Sequence, residues 1–134
     1  MPAFPALTHV ALTVRDLGVS APWHQKLIGT EPLIEEDTDA GFRHVVWALP
    51  NDTLLGIHQH TTAAPDERFS EFRVGLDHVA FLCGSRTELQ EWETRLDELG
   101  VEHGGIVDAP YGSGLSFRDP DGSALEFFAP PAEA

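Results

Sequence analysis

The chain reads LTHVAL at residues 7–12 and LDHVAF at residues 76–81, so one short pattern occurs twice. When the sequence is shifted to superimpose the two histidines, further residues coincide: Trp23 with Trp92, and Leu27 with Leu96. Agreement of this kind at one shift is the signature of an internal repeat. The sequence therefore predicts two fused copies of one supersecondary unit.

The second copy gives its order of elements clearly. The β-prone run at 77–83 predicts a strand, and the serine and glutamate of SRTE at 85–88 predict a capping box that begins a helix. An apolar stripe then continues to Gly100, which can adopt the left-handed conformation that ends a helix. The stripe consists of Leu89, Trp92, Leu96 and Leu99. Three strands are predicted to follow, at about 104–107, 114–117 and 124–128, with the tight turn DPDG at 119–122 before the last.

The first copy repeats this order, with a strand at 8–14, a helix, and strands at 42–49 and 54–60. Its helical stripe consists of Val19, Trp23 and Leu27. We therefore predict an α+β fold in which two tandem βαβββ modules form a cupped, barrel-like mixed sheet with the helices on the outside. At 134 residues the chain suits a single domain, 1–134. Its predicted parts are module one at about 6–62, a linker at about 63–74 and module two at about 75–130.

Composition narrows the classes of partner. The formal net charge of −14 argues against nucleic acid and against an anionic membrane, because both bind basic surfaces. The single cysteine, Cys83, cannot form an intrachain disulfide, and its apolar neighbours favour a place in the core. No run approaches the ~20 apolar residues of a membrane span. We therefore predict a soluble, cytoplasmic protein whose partner is a small molecule.

Strand alternation places two histidines and a glutamate on one face of the predicted sheet. His9 and His78 point away from the apolar set that packs against the helices, and Glu126 does so in the last strand. Each alone has an ordinary explanation as a structural or edge residue. Together, two imidazoles and one carboxylate suit a divalent metal and leave coordination positions open. The sequence predicts a metal site of His9, His78 and Glu126, compatible with Fe, Mn, Ni, Zn or Co.

Other residues are candidates for the same site. Alignment of the two copies puts Gly56 at the position of Glu126, with His58 and then His60 further along the same face. His58 is a candidate acid–base group near neutral pH, or a fourth ligand. Tyr111 is a candidate to cover the substrate from a mobile glycine-flanked loop, although a simple turn tyrosine is the alternative. The remaining histidines are predicted to be solvent-exposed: His24, His44 and His103.

These motifs resemble the vicinal oxygen chelate superfamily, which includes glyoxalase I, extradiol dioxygenases, fosfomycin-resistance thiol transferases, methylmalonyl-CoA epimerase and metal-free bleomycin-binding proteins. The resemblance rests on 7–12, 76–81 and FRDPDGSALE at 117–126, and it extends over nearly the whole chain. It implies that His9, His78 and Glu126 are the metal ligands. It also implies a homodimer whose sites are shared between chains. Glyoxalase I and the epimerase add a fourth ligand where this chain has Gly56.

The resemblance and the donor set predict a metal-dependent enzyme that acts on a small oxygen-chelating substrate, with the metal as a Lewis acid. The reaction would be of the dioxygenase, thiol-transferase or glyoxalase-type lyase kind. The alternative is a metal-free protein that binds and sequesters an antibiotic or another aromatic compound. Members of that kind generally lack the three ligands, so the intact set favours an enzyme.

Overall fold

The computed structural model describes residues 1–62 and 66–132. The chain divides into two compact units, Met1–Glu67 and Arg68–Ala134. Residues 63–65, which belong to the predicted linker, lie outside the described residues.

Over the described residues, each unit has one helix and one four-stranded mixed sheet. Unit 1 contains β1 (His9–Thr13), α1 (Leu17–Ile28), β2 (Ile34–Asp37), β3 (Phe42–Leu49) and β4 (Thr53–His60), with sheet order β1-β4-β3-β2. Unit 2 contains β5 (Val79–Leu82), α2 (Arg86–Glu98), β6 (His103–Ala109), β7 (Gly112–Arg118) and β8 (Ala124–Ala129), with sheet order β5-β8-β7-β6. In both sheets the first strand runs parallel to the last, and the other pairs are antiparallel. The predicted α+β fold of two βαβββ modules is confirmed.

Helix α1 buries a face that differs in part from the predicted one. Asp16 caps its first turn by accepting a hydrogen bond from the Gly18 amide at 2.8 Å, and Gly29 ends it at a φ of 84°. The buried residues are Leu17, Ser20, His24 and Leu27. Val19, a member of the predicted stripe, is 55% exposed. The predicted α1 stripe was therefore correct at Leu27 and wrong at Val19, because the polar residues Ser20 and His24 occupy part of the core face.

His24 is the clearest departure, since it was predicted to be exposed and is 0% exposed. Its Nδ1 lies 2.8 Å from the Ser20 carbonyl oxygen, and its ring stacks on Trp47 with centroids 6.1 Å apart. A buried polar group is tolerated when it is hydrogen-bonded. Ser20, whose small side chain belongs to the same buried face, supplies this partner through its main-chain carbonyl oxygen, one helical turn earlier.

His44 and His103 were also predicted to be exposed, and both side chains are mostly buried, at 16% and 14% exposure. Each is paired with a carboxylate. His44 Nε2 lies 2.9 Å from Glu36 Oε1 across the β2–β3 pair, and His103 Nε2 lies 2.7 Å from Asp97 Oδ1. Pairing with an acid on a neighbouring element keeps these imidazoles against the protein instead of in solvent.

Helix α2 follows its predicted pattern more closely. Ser85 accepts a hydrogen bond from the Glu88 amide at 3.1 Å, while the Glu88 carboxylate accepts one from the Gly84 amide at 2.7 Å. Gly100 follows the helix at a φ of 71°. Cys83 is 2% exposed, which confirms its place in the core. Burial, with the Glu88 carboxylate nearby, raises the pKa of the Cys83 thiol to about 11, so the thiol stays protonated near neutral pH.

None of the helices in the described part of the chain is long and apolar enough to cross a membrane.

Candidate functional site

Unit 2 brings two of the three predicted metal ligands together. His78 immediately precedes β5, and Glu126 lies on the neighbouring strand β8, opposite Ala80. His78 Nε2 lies 4.0 Å from Glu126 Oε2. Leu125 and Phe127 are buried at 1% and 6% exposure, so strand alternation places Glu126 on the opposite face of the sheet.

Asp77 is a part of this site that the sequence analysis missed. Its Oδ1 lies 2.7 Å from Nδ1 of the adjacent His78. A carboxylate on one ring nitrogen fixes the orientation of an imidazole and leaves the other nitrogen to bind a metal. Here the other nitrogen, Nε2, is the one nearest Glu126. The sequence did contain a signal for this role. The two copies of the repeated pattern differ before the histidine, where the first has Thr8 and the second has the acid Asp77.

The surroundings of Glu126 leave room beside its carboxylate. Its side chain is 22% exposed, and its β7 neighbour across the pair is the small Ser116. A Cβ added to Gly114 would lie 3.2 Å from Glu126 Oε1, so the carboxylate lies against this glycine. An imidazole oriented by a second carboxylate, with an acid 4.0 Å away, is a donor set that fits a divalent metal.

The third predicted ligand, His9, belongs to unit 1. It is the first residue of β1 and is exposed, on the face that it shares with Ala11 and Thr13. The alternate residues Leu12 and Val14 are buried at 5% and 0% exposure. Within residues 1–62 and 66–132, no group of three or more His, Cys, Asp or Glu is arranged to hold a metal ion. The three-ligand set therefore stays a prediction.

Strand register shows why unit 1 has no counterpart of Glu126. In unit 1 Ala11 pairs with Gly56, and in unit 2 Ala80 pairs with Glu126. Gly56 therefore stands where the second copy has its carboxylate, in agreement with the repeat alignment. A Cβ added to Gly56 would lie 3.6 Å from His58 Nε2. The His58 imidazole thus lies over the glycine, in space that a side chain at position 56 would use.

His58 sits in a cluster of aromatic and imidazole rings on β3 and β4. Its ring stacks on Phe42 with centroids 4.4 Å apart and meets His44 edge-on at 5.3 Å, with His60 at 6.1 Å. Burial, and then the positive charges of protonated His44, His60 and His9, lower the pKa of His58 from its usual 6.5. His58 is therefore neutral near neutral pH, the state in which an imidazole can accept a proton or bind a metal.

Tyr111 lies in a tight turn. With Pro110 it connects β6 to β7, whose ends pair through Ala109 and Gly112. The Tyr111 ring is 75% exposed and stacks on Phe128, with centroids 6.4 Å apart and an interplanar angle of 13°. Its role in covering the substrate remains a prediction. Tyr111 lies in the two-residue turn of the β6–β7 hairpin and not in a separate loop.

Comparisons with known proteins agree with this architecture. A family model described as the Glyoxalase/Bleomycin resistance protein/Dioxygenase superfamily matches residues 6–127. The chain is 28% identical over 127 residues to the metallothiol transferase FosB of Bacillus licheniformis, covering 90% of this chain and 72% of that protein. A glyoxylase/bleomycin resistance protein/dioxygenase domain from Frankia sp. EAN1pec is 30% identical, with a TM-score of 0.87 and coverage of 98% and 96%. The fosfomycin resistance protein FosX of Listeria monocytogenes, at 22% identity, shares the fold with a TM-score of 0.72 over 98% and 95% of the two chains.

Proposed function

The chain belongs to the glyoxalase/bleomycin resistance protein/dioxygenase superfamily, and on this basis we propose that it is a metal-dependent enzyme acting on a small molecule whose oxygen atoms chelate the ion. The observation that supports this most directly is the pairing of His78 with Asp77 on one nitrogen and with Glu126 near the other. Metal-binding histidines regularly have a carboxylate on the ring nitrogen that faces away from the metal. Two other histidines of this chain, His44 and His103, also pair with a carboxylate, but only His78 has a second acid, Glu126, near its other nitrogen among the ion pairs of the described residues.

His78 and Glu126, together with His9, are the residues that would hold the ion. A divalent ion bound there would supply a Lewis acid to the substrate oxygens. Three protein ligands leave coordination positions open for those oxygens. A homodimer in which each site is shared between two chains belongs to the same proposal.

Thiol transfer is the reaction type that we propose first. The similarity to a metallothiol transferase extends over 90% of this chain and supports this choice. In such a reaction the thiol sulfur forms a bond to an electrophilic carbon of the substrate, and the bond from that carbon to an oxygen breaks. The thiol proton then ends on the released oxygen. His58, whose pKa is lowered first by partial burial and then by neighbouring histidines, is proposed to move this proton.

The metal content of the native protein tests the proposed function. Protein purified without a histidine tag is expected to contain about one divalent ion per chain, measured by elemental analysis. Removal of the ion with a chelator should abolish turnover of a thiol and a small oxygen-bearing electrophile, and added metal should restore it. A native protein that contains no metal and still binds aromatic compounds would support sequestration instead.

The electrostatic coupling around His58 gives a prediction that needs no substrate. His44→Gln is expected to raise the pKa of His58, because one of the positive charges that lower it is removed. Burial, which is the largest cause of the lowered pKa, is unchanged in this variant, so the pKa of His58 should stay below 6.5. NMR titration of the imidazole resonances would measure the shift.

His103→Gln is the matched control, since the His103 charge is not among those that lower the pKa of His58, and it should leave the His58 titration unchanged. An unaltered His58 pKa in His44→Gln would contradict the assigned coupling. The lowered pKa also has a consequence for stability. Because the folded chain binds this proton less tightly than the unfolded chain, the free energy of unfolding should fall as the pH drops below 6.5.

A further inference from the structure

Two residues of the proposed metal site lie on a chain segment with little apolar packing. Unit 2 begins with residues 68–78, which lead into β5 and which we call the entry segment. The entry segment ends in Asp77 and His78. Three of its four large apolar residues are exposed: Phe72, Val74 and Leu76. Because exposed side chains gain little from burial, polar contacts decide more of where Asp77 and His78 lie.

Arg118, on β7, holds the entry segment through Glu71. Its guanidinium donates two hydrogen bonds to the Glu71 carboxylate, from Nη2 to Oε1 at 2.8 Å and from Nη1 to Oε2 at 3.0 Å. Two parallel bonds of this kind fix both the distance and the orientation of an arginine and a carboxylate. The bonds from Arg118 also lower the pKa of Glu71 to about 2, so this carboxylate stays charged near neutral pH.

The same guanidinium also contacts the turn that precedes β8. Its Nη1 donates a further hydrogen bond to the Gly122 carbonyl oxygen at 3.0 Å. In the main chain, the Phe69 amide donates to the Asp121 carbonyl oxygen of this turn at 3.1 Å. The entry segment is therefore attached to the turn that leads into the strand of Glu126.

Strand register places Arg118 on the sheet face that carries the proposed site. Ser116 pairs with Glu126, and Arg118 lies two residues further along β7. Residues two apart on a strand project from the same face. The hydrogen bonds to Glu71, and then the charges of Glu71 and Asp77, raise the pKa of Arg118. One guanidinium thus attracts two acids of the entry segment, Glu71 by contact and Asp77 through space.

We propose that Arg118 is a positioning residue of the His78–Glu126 site and that Glu71 holds it in place. The pair with Glu71 ties the entry segment to β7 and β8, and the charge of Arg118 keeps the Asp77 carboxylate within reach of the His78 ring. Asp77 then orients His78 through the 2.7 Å contact with Nδ1. This inference rests on the proposed metal site and adds to it a residue that acts through Asp77, without contact with the ion.

Arg118→Lys tests the positioning role because it keeps the positive charge and removes the two-bond geometry. NMR order parameters of the amides at residues 73–78 would be measured in the metal-free full-length protein. They are expected to fall from about 0.85 in wild type, the value of a rigid backbone, to below about 0.6 in the variant. Amides of β7 and β8 should be unchanged. Glu71→Gln, which removes the charge of the partner, should have the same effect.

The affinity for Zn²⁺ is the second readout, measured by competition with a metal-binding dye. Arg118→Lys should weaken binding about threefold, less than the loss expected when the direct partner of the imidazole is removed. In an Asp77→Asn background the same change should have no further effect, because Arg118 acts through Asp77. A general structural role would instead weaken binding by the same factor in both backgrounds.

Arg86→Lys is the matched control. Arg86 also makes a two-bond pair within unit 2, with Asp108 at 2.9 and 3.0 Å. Strand register pairs Asp108 with Ser113, on the face opposite to Ser116. This variant should keep the wild-type order parameters at residues 73–78 and the wild-type affinity for Zn²⁺.

The outcomes separate this inference from the proposed function. Unchanged order parameters in Arg118→Lys, an unchanged Zn²⁺ affinity, or an equal effect of Arg86→Lys would each overturn the inference and leave the metal site intact. A further loss of affinity in the Asp77→Asn background would also overturn it. Failure of the wild-type protein to bind Zn²⁺ would overturn the proposed function, and the inference with it.

Discussion

His78→Ala is expected to weaken binding of Zn²⁺ by about a hundredfold. Structural zinc sites with four ligands bind with about 10–16 kcal/mol, so one ligand contributes about 3 kcal/mol, or about a hundredfold in Kd. Asp77→Asn should have a smaller effect, about tenfold, because it removes only the partner that orients the imidazole. Competition with a metal-binding dye would measure both affinities. A larger loss of affinity in His78→Ala than in Asp77→Asn is expected if His78 binds the metal and Asp77 orients it.

His103→Ala is the matched control for this series. It removes a histidine of the same unit whose Nε2 is paired with Asp97 at 2.7 Å, and it should leave Zn²⁺ affinity unchanged. The His78 side chain is 46% exposed, so its removal should preserve the fold. Equal affinities for wild type and His78→Ala, or an equal loss in His103→Ala, would remove His78 from the proposed site.

Gly112→Ala is expected to lower the free energy of unfolding by about 3 kcal/mol, through overpacking and a disfavoured backbone conformation. A Cβ at this position would overlap the Phe128 ring and lie 2.5 Å from the Ala129 carbonyl oxygen. The ring can move, but the oxygen belongs to the backbone of β8 and cannot move without disturbing the strand pair. The φ of Gly112, 144°, is also one that L side chains rarely adopt. Urea denaturation would measure the loss.

Gly104→Ala provides the comparison, because it makes the same substitution in the neighbouring strand β6. A Cβ there would meet nothing within 4 Å, and the stability should change by less than about 1 kcal/mol. Similar losses in the two variants would show that the close approach at Gly112 is not what makes its substitution costly.

Repetition and alternation were the patterns that could be interpreted without coordinates. The repeated LTHVAL and LDHVAF stretches predicted two βαβββ modules, because a supersecondary unit is encoded locally and its copies keep their spacing. Alternation in β8 correctly separated buried Leu125 and Phe127 from Glu126, since successive strand side chains point to opposite faces. Both patterns depend only on neighbours along the chain.

The errors fell where a specific contact that hydropathy spacing does not encode decides whether a side chain is buried. His24 is buried because Trp47, on β3, offers its ring a stacking surface and Ser20 offers a hydrogen-bond acceptor. Apolar spacing in α1 could not indicate this, since a hydropathy pattern treats a histidine as polar wherever it lies. His44 and His103 are likewise held by carboxylates on other elements, Glu36 and Asp97.

The amino-acid sequence by itself determined the repeated βαβββ order and the two faces of β8, and it supplied the candidate donor residues, because periodicity and residue chemistry are local properties. Only the tertiary structure decided which donors meet. Strand pairing brought Glu126 to 4.0 Å from His78 and assigned Gly56 to the corresponding place in unit 1. These relations follow from the register of hydrogen bonds between distant strands, and a shift of one residue would turn each side chain to the other face.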